Sequence, residues 1–348
     1  MSKTILFSSK IKYTIPVFVI LLYVLWSLFI SHNFKVKTEL KEHVNIEILE
    51  GMNLNDLIDL LQEKGSLRNV WSFKFISSLK KFDSNIKCGV VHLQDSYTNN
   101  DLINILRIPN KSVFDLHIPE NVRLIEDMIV LLEDSVGFER GELSSYLDTS
   151  SFLSDNDLNL QTLPSFFIPN TYQLYKGLSV KSFLNKMKRE YEVFWTDKRK
   201  YKCDSLGLTR IEVSILASIV EEEQDKKIDE RPIIAGLYLN RLNNPLSFPY
   251  LQADPTVKFA NNDFGIKQVL YKHTDIESPY NTYKTKGLPP GPICIPCINA
   301  IDAILNATQH EYYFMCAGSN GDGYHKFTST NKEHNQNKSK YKKYQNFK

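Results

Sequence analysis

The chain has 348 residues, 42% of them hydrophobic and 24% charged, a composition that supports buried cores and excludes a disordered or collagen-like polymer. Lys plus Arg number 42 against 40 Asp plus Glu, so a net charge of +2 provides no field that favours nucleic acid as a partner. Five scattered cysteines, Cys88, Cys203, Cys294, Cys297 and Cys316, exclude a small disulfide-built scaffold.

From Tyr13 to Ile30 the chain carries no charge, and as a helix this stretch reaches about 27 Å, against roughly 30 Å for a bilayer core. Its bulky exit, Ser27-Leu28-Phe29-Ile30, is a poor signal-peptidase site, which predicts an uncleaved transmembrane helix over residues 13–31. Lys3, Lys10 and Lys12 precede it without an acidic residue, so the positive-inside rule keeps residues 1–12 cytoplasmic and exports the rest. Residues 32–43 are polar and unpatterned, as in a linker.

Val44 to Leu49 alternates as a strand does, and Leu54, Leu57, Ile58, Leu60 and Leu61 then repeat at helical spacing until Gly65. The string beginning Asn55-Asp56-Leu57-Ile58 recurs as Asn100-Asp101-Leu102-Ile103, with Thr98 positioned to cap the second copy. A weaker echo relates residues 48–54 to 118–124, so 44–135 reads as a small α+β module of reused strand-helix units. Ser, Asn and Asp crowd Ser144 to Leu163, predicting a connector over 136–163 and a larger α+β domain over 164–340. That domain opens with a helix from Ser179 to about Lys200, striped by Phe183, Met187, Tyr191 and Phe194. The residues from Asn331 on read as a frayed, solvated end closing in a basic tail at 341–348.

The chemistry concentrates later. Thr209 to Gln224 is helical in spacing, with Ile211, Ile215, Leu216, Ile219 and Val220 as its apolar face and Glu221-Glu222-Glu223 at its end. A glutamate triplet is ordinarily a solvated face. Here Glu223 follows Ile219 and Val220 along the apolar stripe, while Glu221 follows the small residues Ala217 and Ser218, which leave room for a substrate. Three carboxylates at a helix C-terminus oppose the helix dipole, so a partly buried member has a raised pKa, as a general acid requires. Helical spacing alone does not choose between Glu221 and Glu223. Asn240-Arg241, Gln252 with Asp254-Pro255-Thr256, Ser278-Pro279-Tyr280-Asn281-Thr282-Tyr283 and Gly287-Leu288-Pro289-Pro290-Gly291 follow. Their amides, carboxylates and rings suit sugar hydroxyls and pyranose faces, although Asp-Pro and Pro-Gly also form turns.

This order of motifs resembles the endolytic murein transglycosylases, the YceG-like family of membrane-anchored peptidoglycan-cleaving enzymes. Ala217-Ser218-Ile219-Val220-Glu221-Glu222-Glu223 is similar to the family's A-S-I-V-E-x-E segment, and the resemblance assigns the catalytic role to Glu221. The later clusters match in order, and His325, Phe327, Thr330, His334 and Asn335 resemble its C-terminal pattern. By this resemblance Glu223, Asn240, Arg241, Gln252, Asp254, Ser278, Tyr280, Asn281 and His325 are substrate-binding candidates. The first exported module corresponds to a LysM-like, peptidoglycan-associating subdomain. Three positions depart from the pattern: Cys297 and Asn121 stand where the family usually has glycine, and Asn170 replaces an aspartate.

The resemblance implies non-hydrolytic cleavage of the MurNAc-β-1,4-GlcNAc bond inside glycan strands, giving 1,6-anhydro ends, at the inner membrane and beside the wall synthases as partners. No metal or organic cofactor is implied. A hydrolytic muramidase, using Asp254 or Glu223 as a second carboxylate, and a non-enzymatic wall-binding protein are the alternatives. Cys294-Ile295-Pro296-Cys297 has redox or metal spacing but no second cysteine pair, and a local disulfide stays open. Gly318 to Gly323 lies between two strand-like segments and reads as a hairpin turn rather than a phosphate loop.

Overall fold

The computed structural model describes residues 16, 18–24, 37–38, 44–49, 51–67, 69–93, 97–109 and 113–346. Of the predicted membrane segment, residues 16 and 18–24 are helical, with Phe18 to Val24 exposed; its remainder, the 1–12 tail and most of the linker lie outside the described residues. Among the described residues no helix is long and apolar enough to cross a membrane. The architecture is mixed α+β, in two compact units, Met1–Phe114 with Leu174–Ser179, and Asp115–Gln173 with Val180–Lys348. The division therefore falls at 114/115, earlier than the connector expected from composition at 136–163. That connector is itself structured: it holds the helix Glu142–Thr149 and a 3₁₀ turn at Ser154–Asn156.

In the first unit a two-residue strand β1 (Lys37–Thr38) pairs with β4 (Tyr97–Thr98), and β2 (Val44–Ile48) pairs antiparallel with β3 (Gly89–Leu93). The alternation of β2 buries Ile46 and Ile48 and exposes Asn45 and Glu47, as a half-covered strand must. Helices α1 (Leu54–Glu63), α2 (Val70–Leu79) and α3 (Asn99–Leu106) complete the unit. The repeated string is one physical device used twice. Asn53 with Asp56, and Thr98 with Asp101, form capping boxes that satisfy the free N–H groups of α1 and α3. The equivalent Leu57-Ile58 and Leu102-Ile103 pairs enter one core with Phe73, Ile76, Val91 and Leu93.

The boundary between the units runs through β5 (Val113–Ile118) and β6 (Asn170–Tyr175), which pair with each other. The second unit contains α4 (Ile125–Val136), α5 (Glu142–Thr149), α6 (Val180–Phe194) and α7 (Asp197–Leu206). The single helix expected from Ser179 to about Lys200 is thus two. Trp195 is fully buried between them, and the Thr196 side chain caps α7 by accepting from the Arg199 N–H.

At the centre lies α8 (Arg210–Glu223), flanked by α9 (Arg231–Leu242), α10 (Asp254–Ala260) and α12 (Ile298–Leu305), with the short α11 (Tyr271–Thr274) between the last two in sequence. Nine consecutive residues of α8, Val213 to Glu221, are buried, so the helix is covered on all faces rather than along one stripe. Ile215, Leu216, Ile219 and Val220 each contribute about 1.5–3 kcal/mol by leaving water. β7 (Phe314–Ala317) and β8 (His325–Thr328) form the expected hairpin, with Gly321 and Gly323 at positive φ in the turn. The C-terminal segment is not frayed: Asn331–Asn346 forms α13, which lies against β7 and β8 and stacks His334 on Phe314 at 5.3 Å.

Candidate active site

The site is built where α8 ends. Thr209 caps the start of the helix in a reciprocal box with Glu212, which sets the phase of every residue that follows. Near the other end the Ser218 hydroxyl accepts from the Ile293 N–H at 3.0 Å, tying the Pro-rich segment before α12 to the helix. Beyond this point the three glutamates diverge, because successive helical residues point about 100° apart.

Glu221 points inward and is 5% exposed. Its Oε2 accepts the Cys297 N–H at 2.6 Å, at the N-terminus of α12, where the helix dipole also favours negative charge. Burial raises its pKa, and the Cys297 N–H and thiol oppose that rise. Glu222 points the other way and takes both Nε and Nη2 of Arg123, at 2.9 and 3.1 Å, in a bidentate pair; the same guanidinium lies 4.8 Å over the Phe264 ring.

Glu223 stays partly exposed. Its Oε1 accepts the hydroxyl of Tyr238, from α9, at 2.6 Å. Burial and the nearby Asp254 carboxylate push its pKa up to about 7, against opposing effects of Tyr238, His325 and Lys258. Asp254 is raised as well, by burial, while its Oδ1 accepts from the Tyr283 hydroxyl at 2.6 Å. Two carboxyls, each bonded to a tyrosine, therefore share one partly open recess.

The remaining candidates separate into two groups. Arg241 is buried and joins the recess through its charge, which acts on Tyr238 and Tyr283, while its N–H groups hold the carbonyls of Tyr313 at 2.8 Å and Leu251 at 2.7 Å. Gln252 is exposed beside it, with a left-handed φ of 52° that only a few per cent of non-glycine residues adopt. His325 also belongs to this group, since its charge acts on Glu223. Asn240, by contrast, donates to the carbonyls of His310 and Tyr312, and Asn281 is fully buried, donating to Thr274 and Ile276. The Ser278 hydroxyl accepts from the Tyr280 N–H, and the Tyr280 ring packs against Phe259 at 4.6 Å. The side-chain hydrogen bonds of Asn240, Ser278 and Asn281 shape the loops around the recess.

Reasoning from sequence missed Tyr238 and Glu230. A tyrosine inside the aliphatic run Ile233-Ile234-Ala235-Gly236-Leu237-Tyr238-Leu239 was the available signal, because a buried phenol needs a hydrogen-bond partner. Glu230 carried no comparable mark. Among the described residues Glu120, Glu221 and Cys297 bring ligand atoms within 4.8 Å of one another. The Cys297 sulfur already accepts from the Arg231 guanidinium at 2.9 Å, a cation competing with any metal there. Cys294 and Cys297 are both free, buried thiols.

The helix ending in a glutamate triplet, with the later motifs folded around it, defines a carboxyl-based site in an α+β unit. The chain belongs to the YceG-like family, which matches residues 46–340. It is 28% identical over 326 residues to the endolytic murein transglycosylase of Bacillus subtilis strain 168, covering 88% of this chain and 87% of that one. It is 26% identical over 337 residues to the protein of the same name from Streptococcus pneumoniae serotype 2 strain D39, covering 85% of this chain but 58% of the pneumococcal one. The crystal structure of a yceG-like protein from Listeria monocytogenes has the same fold, with a TM-score of 0.53 at 23% identity, covering 85% of this chain and 99% of that one.

Proposed function

We propose that this chain is an endolytic lytic transglycosylase of peptidoglycan in which Glu223, rather than Glu221, is the carboxyl that moves the protons. One observation carries the choice. Glu223 is the member of the triplet on which Tyr238, Asp254 and His325 act, and the residue as a whole stays partly exposed. Glu221, which the motif resemblance singles out, is 5% exposed and bonded to the end of α12. That supports a role in seating the Cys297 segment against α8. A general acid needs a pKa near working pH, and Glu223, pushed up to about 7, meets that condition.

In the first step the protonated Glu223 carboxyl donates to the glycosidic oxygen as the bond from the muramoyl C1 breaks. In the second, the carboxylate so formed takes the proton of the muramoyl C6 hydroxyl while O6 bonds to C1. The carboxyl ends as it began, no water is consumed, and the product is a 1,6-anhydro end. Asp254 keeps Glu223 protonated until substrate arrives, because two neighbouring carboxylates resist joint ionisation. Around this chemistry, the 13–31 segment would anchor the protein in the inner membrane with its catalytic unit outside. The 44–135 module would act as the LysM-like contact to glycan strands, with wall synthases as the partner class.

The proximity of Asp254 to Glu223 also favours one rival, a muramidase in which Asp254 activates water. Mass spectrometry of glycans released from purified peptidoglycan by the full-length, detergent-solubilised chain separates these readings. We expect anhydro ends from the wild type and from a folded Glu221→Gln variant, and none from Glu223→Gln. Reducing ends lost in Asp254→Asn would establish hydrolysis instead. Loss of product in Glu221→Gln alone would return the acid to Glu221.

A further inference from the structure

Behind the recess lies a second ionic pair that the mechanism above does not use. Glu230, in the turn before α9, is 3% exposed. Its Oε2 lies 2.7 Å from Nδ1 of His325 and accepts Nε2 of Gln224 at 2.6 Å, while Oε1 accepts the His325 backbone N–H at 2.7 Å. Every bond to this carboxylate therefore comes from His325 or from Gln224, the residue directly after Glu223. A carboxylate only accepts, so Nδ1 of His325 carries the proton and its orientation is set.

We propose that Glu230 is a positioning residue, whose buried carboxylate holds the His325 imidazole Nδ1–H inward and so presents a fixed imidazolium to the Glu223 carboxyl. The inference rests on Glu223 as the acid. The arrangement is that of a carboxylate orienting a histidine from behind, and it links β8 to the end of α8 through the Glu230 carboxylate.

The electrostatics agree with this geometry. Burial raises the Glu230 carboxyl, but the hydrogen bonds from His325 and Gln224 outweigh it and hold the group below the usual glutamate value. Burial lowers His325, but its bond to Glu230 and the charges of Glu223 and Glu230 leave it above the ordinary 6.5. The ionic groups acting on His325 are thus Glu223 from α8 and Glu230 from the turn before α9. In return, the imidazolium charge is one of the influences that restrain the rise of Glu223. Without it, Glu223 would hold its proton to higher pH and return less readily to the carboxylate needed for the second step.

The test uses the full-length chain in detergent with isotope-labelled histidine, in the wild type and in Glu230→Gln, Glu230→Asp and His325→Gln variants. The last identifies the His325 resonance. NMR titration is expected to show His325 falling by about one pH unit or more in Glu230→Gln and staying near wild type in Glu230→Asp. The falling limb of kcat/KM for anhydro-product release should move upward by up to about one unit in Glu230→Gln and His325→Gln, with the rate down about tenfold. A folded Glu230→Gln variant with an unmoved His325 titration, or an unmoved limb at a reduced rate, would make Glu230 merely structural and overturn the proposal. Absence of anhydro product from the wild type would sink the catalytic reading separately, and the NMR titration would still decide the pairing.

Discussion

The Tyr238 hydroxyl donates to Oε1 of Glu223 at 2.6 Å, joining α9 to the last residue of α8. Because the phenol donates, it favours the ionised carboxylate and works against the burial and the Asp254 charge that raise Glu223. Tyr238→Phe removes this opposition while keeping the ring packed. The falling limb of the pH–rate profile should therefore shift upward by about half to one unit, with the rate reduced several-fold. An unshifted limb would separate Tyr238 from proton transfer.

The wild-type profile has a sign that follows from the same group. The reaction begins with protonated Glu223, so kcat/KM should fall tenfold per pH unit as pH rises through about 7. Initial rates of anhydro-end formation between pH 5 and 9 provide the check. A limb near pH 4.5 would point to an unperturbed carboxyl.

Stability should fall with rising pH as well. A carboxyl raised from 4.5 to about 7 binds its proton more tightly when folded, so its ionisation destabilises the fold as pH rises through that window. Glu223→Gln keeps an acceptor for Tyr238 but carries no charge. At pH 8 it should be more stable than wild type by about 2 kcal/mol, allowing for its partial exposure, and the gain should vanish near pH 4. Thermal melts of both proteins across pH measure the difference.

Asn240 tests the division between binding and scaffolding. Its amide donates to the carbonyls of His310 and Tyr312, so Asn240→Ala leaves two acceptors without this partner. The expected cost is about 1–3 kcal/mol in a denaturant titration, with KM for glycan within about twofold of wild type. A raised KM at unchanged stability would make Asn240 a substrate contact.

Gly236 marks a close approach that no larger residue fits. A Cβ there would lie 2.2 Å from the Thr308 carbonyl oxygen and 2.8 Å from Nε2 of His310, in the segment whose Thr308 N–H bonds Pro232. Gly236→Ala should cost about 2–3 kcal/mol, read as a lowered urea midpoint at unchanged slope.

Local structure was legible because its causes are local. The Thr209 cap with Glu212, the Thr98 cap with Asp101 and the turn around Gly321 and Gly323 each depend on residues within a few positions of one another. The two helices after Ser179 were less legible, since Trp195 is a plausible helical residue and the break is made by the single Thr196 cap that follows it. The C-terminal helix was missed for a related reason. Residues 331–346 are polar throughout, and the helix is supported by packing on β7 and β8 rather than by an apolar stripe.

From the sequence alone came the order of the motifs, the helix that ends in three glutamates and the expectation that one of them is a raised acid. Only tertiary structure distinguished the three, because their partners arrive from elsewhere in the chain: Arg123 on Glu222, Cys297 on Glu221, Tyr238 on Glu223. Adjacent residues on one helix share composition and propensity almost completely. They differ in direction, and a direction has chemical meaning only when the rest of the fold has filled the space it points into.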